Sequence, residues 1–265
     1  MISQRKQYDS DISDQAWSLI KHMIPRCRSN KSTGGRPEVH SRREVVNSIL
    51  YVLTTGCSWS DIPHDLPGRG VAWRCFSAWS RQKVFIHISR FMRKYTRKQL
   101  GKSDVPSILI IDSQTAKCTA NTDCSGYDAG KKTKGRKRHH LTDTNGIIIQ
   151  TKVHNANIQD RDGAKLLLKS LPKSILQNII KIYADGGYAG KLIDWVKQKY
   201  GIVLEIVKRN ELHKFVILPK RWIIERTNAW MYGAKRLAKE CERKIIHQES
   251  MIYLRMAQIL WRRVR

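Results

Sequence analysis

Negative charge is what this sequence most lacks. Only 22 Asp and Glu stand against 50 Lys and Arg in 265 residues, a formal net charge of +28 at pH 7. Such self-repulsion is tolerable only beside an anionic partner, and the commonest polyanion inside cells is nucleic acid. Long apolar runs are missing too. None approaches the ~18 residues of a membrane helix, and the first residues, MISQRKQYDSD, are charged where a signal peptide would be apolar. These absences predict a cytoplasmic protein with no membrane partner. No repeat or low-complexity tract is found. With 41% hydrophobic and 8% aromatic residues the chain can build a core, which excludes a disordered basic tail.

Cysteine patterning is absent as well. The six cysteines, at 27, 57, 75, 118, 124 and 241, form no C-x-x-C pair and have no histidine at zinc-finger spacing. They read as reduced, partly buried thiols.

The first hundred residues carry helical periodicity. Ile12, Trp17, Ile20 and Ile24 suit one amphipathic helix, and Val45, Val46, Ile49, Leu50 and Leu53 a second, with Gly56 placed to end it. The polar segment SWSDIPHDLPGRG leads to another helical run carrying Trp73, Phe76, Trp79 and Phe85. Two helices joined by a Gly-containing turn, the second basic, outline a helix-turn-helix-like DNA-binding domain over residues 1–100.

Beyond KQLGKSDVPS the pattern changes, so a second domain is placed at residues 104–265. Ile108–Ile111 is an apolar run closed by Asp112, and Asn145-Gly146 between extended segments is a hairpin signal. A helix around Leu166–Leu171, a strand at 179–184 ending on Asp185, a helix near 192–196 and a strand at 202–207 follow. Helical patterns at about 219–239 and 247–265 complete the chain. That order predicts a mixed α/β sheet flanked by helices, after a small all-α domain.

In so basic a chain the acidic side chains are conspicuous. Asp112 and Asp185 each end an apolar strand candidate, where ligand sites of α/β sheets gather. Two carboxylates on neighbouring strands repel one another unless they share a cation, and Mg²⁺ suits oxygen ligands and phosphates. Glu225 offers a third carboxylate. Its helix turns a stripe of Ile223, Ile224, Thr227, Trp230, Met231 and Ala234 inward and sets Glu225 on its shoulder. The block Lys131, Lys132, Lys134, Arg136, Lys137 and Arg138 puts six cations beside this site, some facing it and others solvent. His139, His140 and His154 are left unassigned, because hard phosphate-transfer ions prefer oxygen.

These residues carry a resemblance. Asp112 in IIDSQ, the block KKTKGRKRHHLTDTNG, Asp185 in YADGGYAG, and Arg221-Trp222-x-x-Glu225-Arg226-Thr227 followed by Trp230 and Lys235-Arg236-Leu237 together resemble the DDE transposases of bacterial insertion sequences, IS-five-like members above all. SDQAWSLIKHMIP, GGRPE, REVVNSILYVLTTGCSWSDIPHDLP and WRCFSAWS resemble that family's helical domain, so the likeness runs from about residue 10 to about 245.

The resemblance implies a ribonuclease H-like catalytic domain in which Asp112, Asp185 and Glu225 bind two Mg²⁺ or Mn²⁺ ions. It implies a transposase that binds its terminal inverted repeats, cleaves DNA and joins the freed 3′-OH to target DNA, as a homodimer or larger assembly associated with the bacterial nucleoid. Arg221, Arg226, Lys235 and Arg236 are expected at phosphates beside the lysine-rich block. The signature Tyr-x2-Arg-x3-Glu-x6-Lys finds Arg221 and Glu225, but Leu218 and Tyr232 stand where Tyr and Lys belong, and Lys235 is the substitute phosphate contact. The alternatives are a non-catalytic DNA-binding regulator derived from such an enzyme, and a nuclease without strand transfer.

Overall fold

The computed structural model describes residues 5–26, 39–119, 122–207 and 221–264, without the side chain of Arg221. GGRPE and Leu218 lie outside the described residues.

Four helices come first: α1 (Asp14–Ile20), α2 (Arg42–Thr55), α3 (Arg69–Arg81) and α4 (Val84–Gln99). Ser13 and Ser41 cap the first two, their hydroxyls each accepting a backbone N–H at 3.2 Å from Ala16 and Glu44. Gly56 ends α2 at φ +74°, a left-handed conformation that favours glycine. The single helical run expected through Trp73 and Phe85 is two helices, because Lys83 takes φ +59° between them. The tight connection is therefore the one between α3 and α4. Between α2 and α3 lies the longer stretch Gly56–Gly68, bent by Pro63 and Pro67, where the sequence suggested a tight turn.

The sheet follows, with β1 (Ile108–Lys117), β2 (Gly126–Asp128), β3 (Thr133–Asp143) and β4 (Ile148–Asn155). Then come α5 (Asp160–Lys169), α6 (Lys173–Leu176), β5 (Lys181–Ala184), α7 (Leu192–Tyr200) and β6 (Val203–Ile206), and finally α8 (Arg221–Tyr232) and α9 (Ile245–Trp261). β3 pairs antiparallel with β1 on one edge and with β4 on the other. β5 joins the far side of β1 in parallel, and β6 follows it in parallel. This is the mixed sheet flanked by helices that the sequence predicts. The β3–β4 turn is the expected one: Gly146 N–H donates to Asp143 O at 3.0 Å, and Gly146 has φ +78°.

One apolar core unites α1 to α4 with α9, and it extends onto Ile147, Ile148 and Val153 of the β3–β4 hairpin and Met231, Ala234 and Leu237 beyond. The interior beneath the N-terminal helices is therefore not confined to residues 1–100. A second core packs Leu109, Ile111, Leu141 and Ile149 of the sheet against α5, α6 and α7. Both faces of β3 are thus covered. Cys75 is disulfide-bonded, while Cys57, Cys118, Cys124 and Cys241 are free. The expectation of six reduced thiols fails at Cys75, since pairing follows proximity in the fold rather than spacing along the chain.

Candidate functional site

β1 does not end at Asp112. It runs on through Ser113–Lys117, because β3 supplies a partner as far as Gly135. On its other side the pairing with β5 stops at Ile110–Tyr183. Beyond that point β1 has lost one neighbour, and a cleft opens that is lined by Ile111, Asp112, Ala184, Asp185, Val207 and Ile224. The two aspartates meet there for a topological reason: one is mid-strand where its neighbour departs, and the other directly follows that neighbour.

Asp112 is held from two sides. Its Oδ1 accepts the Ser113 N–H at 2.7 Å, and its Oδ2 accepts Asn228 Nδ2 of α8 at 3.1 Å. Burial pushes its carboxyl up to about 6, and the neighbouring Asp185 charge adds to that, against the pull of the two hydrogen bonds. Asp185 is half-buried and caps a short turn, its Oδ1 accepting Gly187 N–H at 2.9 Å. Two acids close enough to repel, one of them buried, form a place that a divalent cation fits.

Glu225 is exposed on α8 and does not line the cleft; Ile224 does, and Asn228 touches Asp112. Among the described residues no group of three or more His, Cys, Asp or Glu is placed to hold a metal ion. The structure brings Asp112 and Asp185 together and leaves Glu225 exposed on α8, outside the cleft lining.

The basic block divides sharply. Lys131, Lys132 and Lys134 are exposed. Arg136 and Arg138 are fully buried, contrary to a role at DNA phosphates. Arg136 donates to the carbonyls of Cys124, Glu242 and Arg243 at 2.9, 2.8 and 2.6 Å. Arg138 donates to Leu237 O and Lys239 O at 2.8 and 3.2 Å and pairs with the buried Glu240. They fasten the 237–243 segment across β3. A sheet covered on both faces buries alternate positions alike, so strand alternation exposes neither. Arg236 is also interior, bonded to Glu242 and to the Cys57 carbonyl. Arg226 lies between the rings of Trp222 and Trp230, 4.6 and 4.7 Å from their centroids, and donates to Asn145 O. Lys235 is exposed.

Lys137, also buried rather than exposed to DNA, sits under the site. Its amine lies 3.0 Å from Asp160 Oδ1, 3.5 Å from Asp128 Oδ2 and 3.0 Å from Ile158 O. Ser113 Oγ donates to the same Asp160 oxygen at 2.8 Å, so the residue after Asp112 is tied to this pair. Burial works against the charge on Asp128 and Asp160, yet the Lys137 ammonium and the hydroxyls of Thr115 and Ser113 hold both carboxyls below their usual range. Sequence reading missed Asp128, Asp160 and Asn228. The one signal was the local oddity of Asp160-Arg161-Asp162 in an acid-poor chain. Burial first, with His154 and Arg138 adding, pushes His139 and His140 down to about 3, which keeps both rings neutral.

A mixed sheet with helices on both faces and an aspartate pair at its opening defines the class, and the chain belongs to the transposase DDE domain family, whose model matches residues 103–261. Residues 12–89 match a second model, described as "Putative transposase of IS4/5 family". The chain is 29% identical over 137 residues, 49% of its length, to the "Putative transposase for insertion sequence element IS402" of Burkholderia cepacia. It is 36% identical over 85 residues, 31% of its length, to the "Insertion element IS402 uncharacterized 16.2 kDa protein" of the same organism. It spans 65% and 56% of these two relatives. The likeness read from the motifs is thus upheld at the level of the family. Among the described residues no helix is long and apolar enough to cross a membrane.

Proposed function

We propose that this chain is a transposase that binds the ends of its insertion sequence and carries out metal-dependent DNA strand cleavage and transfer, with residues 104–265 as a ribonuclease H-like catalytic domain. The observation that carries the reading is the meeting of Asp112 and Asp185 where β5 leaves β1, inside the region matched by the transposase model.

Asp112 and Asp185 would hold Mg²⁺ or Mn²⁺, with Glu225 joining from α8. Two bound divalent ions supply Lewis acidity for in-line displacement at a phosphodiester. The protein's own contribution is positional. The Ser113 N–H and Asn228 fix both oxygens of Asp112, and the Gly187 N–H fixes Asp185. Ile111, Ala184 and Ile224 give the cleft apolar walls, whose low polarisability strengthens charge interactions beside them. Lys131, whose amine is 3.2 Å from the Ser113 carbonyl, and the exposed Lys132, Lys134 and Lys235 would grip phosphates, together with Arg221. The N-terminal helices would read the terminal repeats as part of a homodimer or larger assembly at the bacterial nucleoid.

The test is incubation of the full chain with oligonucleotide ends, supercoiled target plasmid and Mg²⁺ or Mn²⁺. Joined products are expected. Nicks alone would make it a nuclease, and binding alone a DNA-binding regulator.

A further inference from the structure

A second cleft joins the N-terminal helices to the C-terminal segment. β1 runs on from Asp112 to Lys117, and the next residue, Cys118, bridges to Glu240, which directly precedes the cleft-lining Cys241, Glu242 and Arg243. The cleft has a volume of about 370 Å³, within the range of small-ligand sites.

Its chemistry is uniform enough to name an occupant. Trp59 and Trp73 form one wall, their rings edge to face with centroids 5.3 Å apart. Trp73 is only half-buried, so part of its ring is open to the cleft. The Trp59 indole N–H is buried with no hydrogen-bond partner among the described residues. Ser58 and Ser60, whose hydroxyls bond each other at 2.7 Å, add polar groups that can turn outward. Arg69 and Arg243 stand exposed at the rim. Arg243 pairs with Asp123 at the surface, a partnership weak enough to exchange for a phosphate. Among the described residues the one carboxylate lining the cleft, Glu242, is neutralised by Arg236 at 2.8 Å and does not repel an anion.

A tryptophan ring partly open to the cleft, hydroxyls and cations at the mouth suit a nucleobase with its flanking phosphates. We infer that this cleft is a subsite for one unpaired nucleotide of the bound DNA, its base against Trp73 and its phosphates on Arg69 and Arg243. The inference rests on the proposed action on DNA. A stacked duplex cannot insert a base here, so the subsite takes a nucleotide splayed out of the helix.

The experiment uses the full chain and a mixed-sequence 12-nucleotide single strand. In one arm 5-bromodeoxyuridine replaces each position in turn, the complex is irradiated, and crosslinked peptides are identified by mass spectrometry. Crosslinks to the peptides carrying Trp59 or Trp73 are expected; their absence from both overturns the subsite. In the other arm, Trp73→Ala is expected to weaken single-strand binding about five- to a hundredfold, as loss of a base-stacking side chain does. Trp73→Phe is expected to restore most of it, and the affinity for inorganic polyphosphate should not change. Equal loss for polyphosphate, or no loss in a variant with the wild-type melting curve, overturns the subsite. If Trp73→Ala does not fold, the crosslinks on the unaltered chain decide. A wild-type chain that binds neither single-stranded nor duplex DNA would sink the transposase reading as well, whereas DNA binding indifferent to Trp73 would sink the subsite alone.

Discussion

Asp112 gives the site its most specific prediction. Its carboxyl, near 3.8 when exposed, is pushed up to about 6 in the fold. An acid raised on folding contributes stability that is complete below the unfolded value and is lost as pH rises through the folded one. Without divalent ions the protein should therefore lose on the order of 1–3 kcal/mol between about pH 4 and pH 7 from this residue. Asp112→Asn should melt higher than wild type at pH 8 and no higher at pH 4. Mn²⁺ should raise the wild-type melting temperature at pH 8 and leave that of the variant unmoved; identical Mn²⁺ responses would remove Asp112 from the metal site. In the strand-transfer assay Asp112→Asn, Asp185→Asn and Glu225→Gln should each lose cleavage while retaining DNA binding. The two aspartates were legible because apolar runs flag strands and a carboxylate after one stands out. Asn228 was not, since an amide on a helix shoulder carries no such mark. The Lys137–Asp160 pair joins residues 23 apart in sequence, from β3 to the start of α5, which periodicity does not reveal.

β3 shows why a run of like charges misleads. Read along the chain, the block from Lys131 to Arg138 is one feature; in the fold it is a solvated loop and strand start, followed from Gly135 by a strand covered on both faces. The two parts should behave oppositely. Replacing Lys131, Lys132 and Lys134 together by Ala should weaken DNA binding and lower the salt-dependence slope by up to about three, with an unchanged melting temperature. Arg138→Met should cost about 3–5 kcal/mol in a denaturant melt, because the buried Glu240 would lose its hydrogen-bonded partner and be left with Arg136 at 3.7 Å. The Asn-Gly hairpin and α2 were readable from turn chemistry and a regular stripe. The break between α3 and α4 was not, since Lys83 adopts a left-handed backbone that its identity does not advertise. α8 is tied to the hairpin by Thr227 Oγ1, which donates to the Gly146 carbonyl at 2.8 Å. Thr227→Val should destabilise by about 1–3 kcal/mol by leaving that buried carbonyl unpaired.

For the whole molecule, composition foretold a basic, core-forming α/β protein, and the order of elements foretold the sheet. It did not show that α9 packs among α2, α3 and α4, because an apolar helix at the end of a chain does not name its partner. A fragment of residues 104–265 should therefore lack a cooperative thermal transition, and adding back residues 1–103 as a separate chain should restore one; a sharp transition in the fragment alone would show that the sheet and α9 need no helical cover. The same packing sets a clock. On the ribosome α4 is complete 145 residues before α9 begins, so the apolar faces of the early helices wait for a partner not yet made. At ~5–20 residues per second that interval is roughly 7–30 s, long enough for chaperones to shield the nascent helices until the last one arrives.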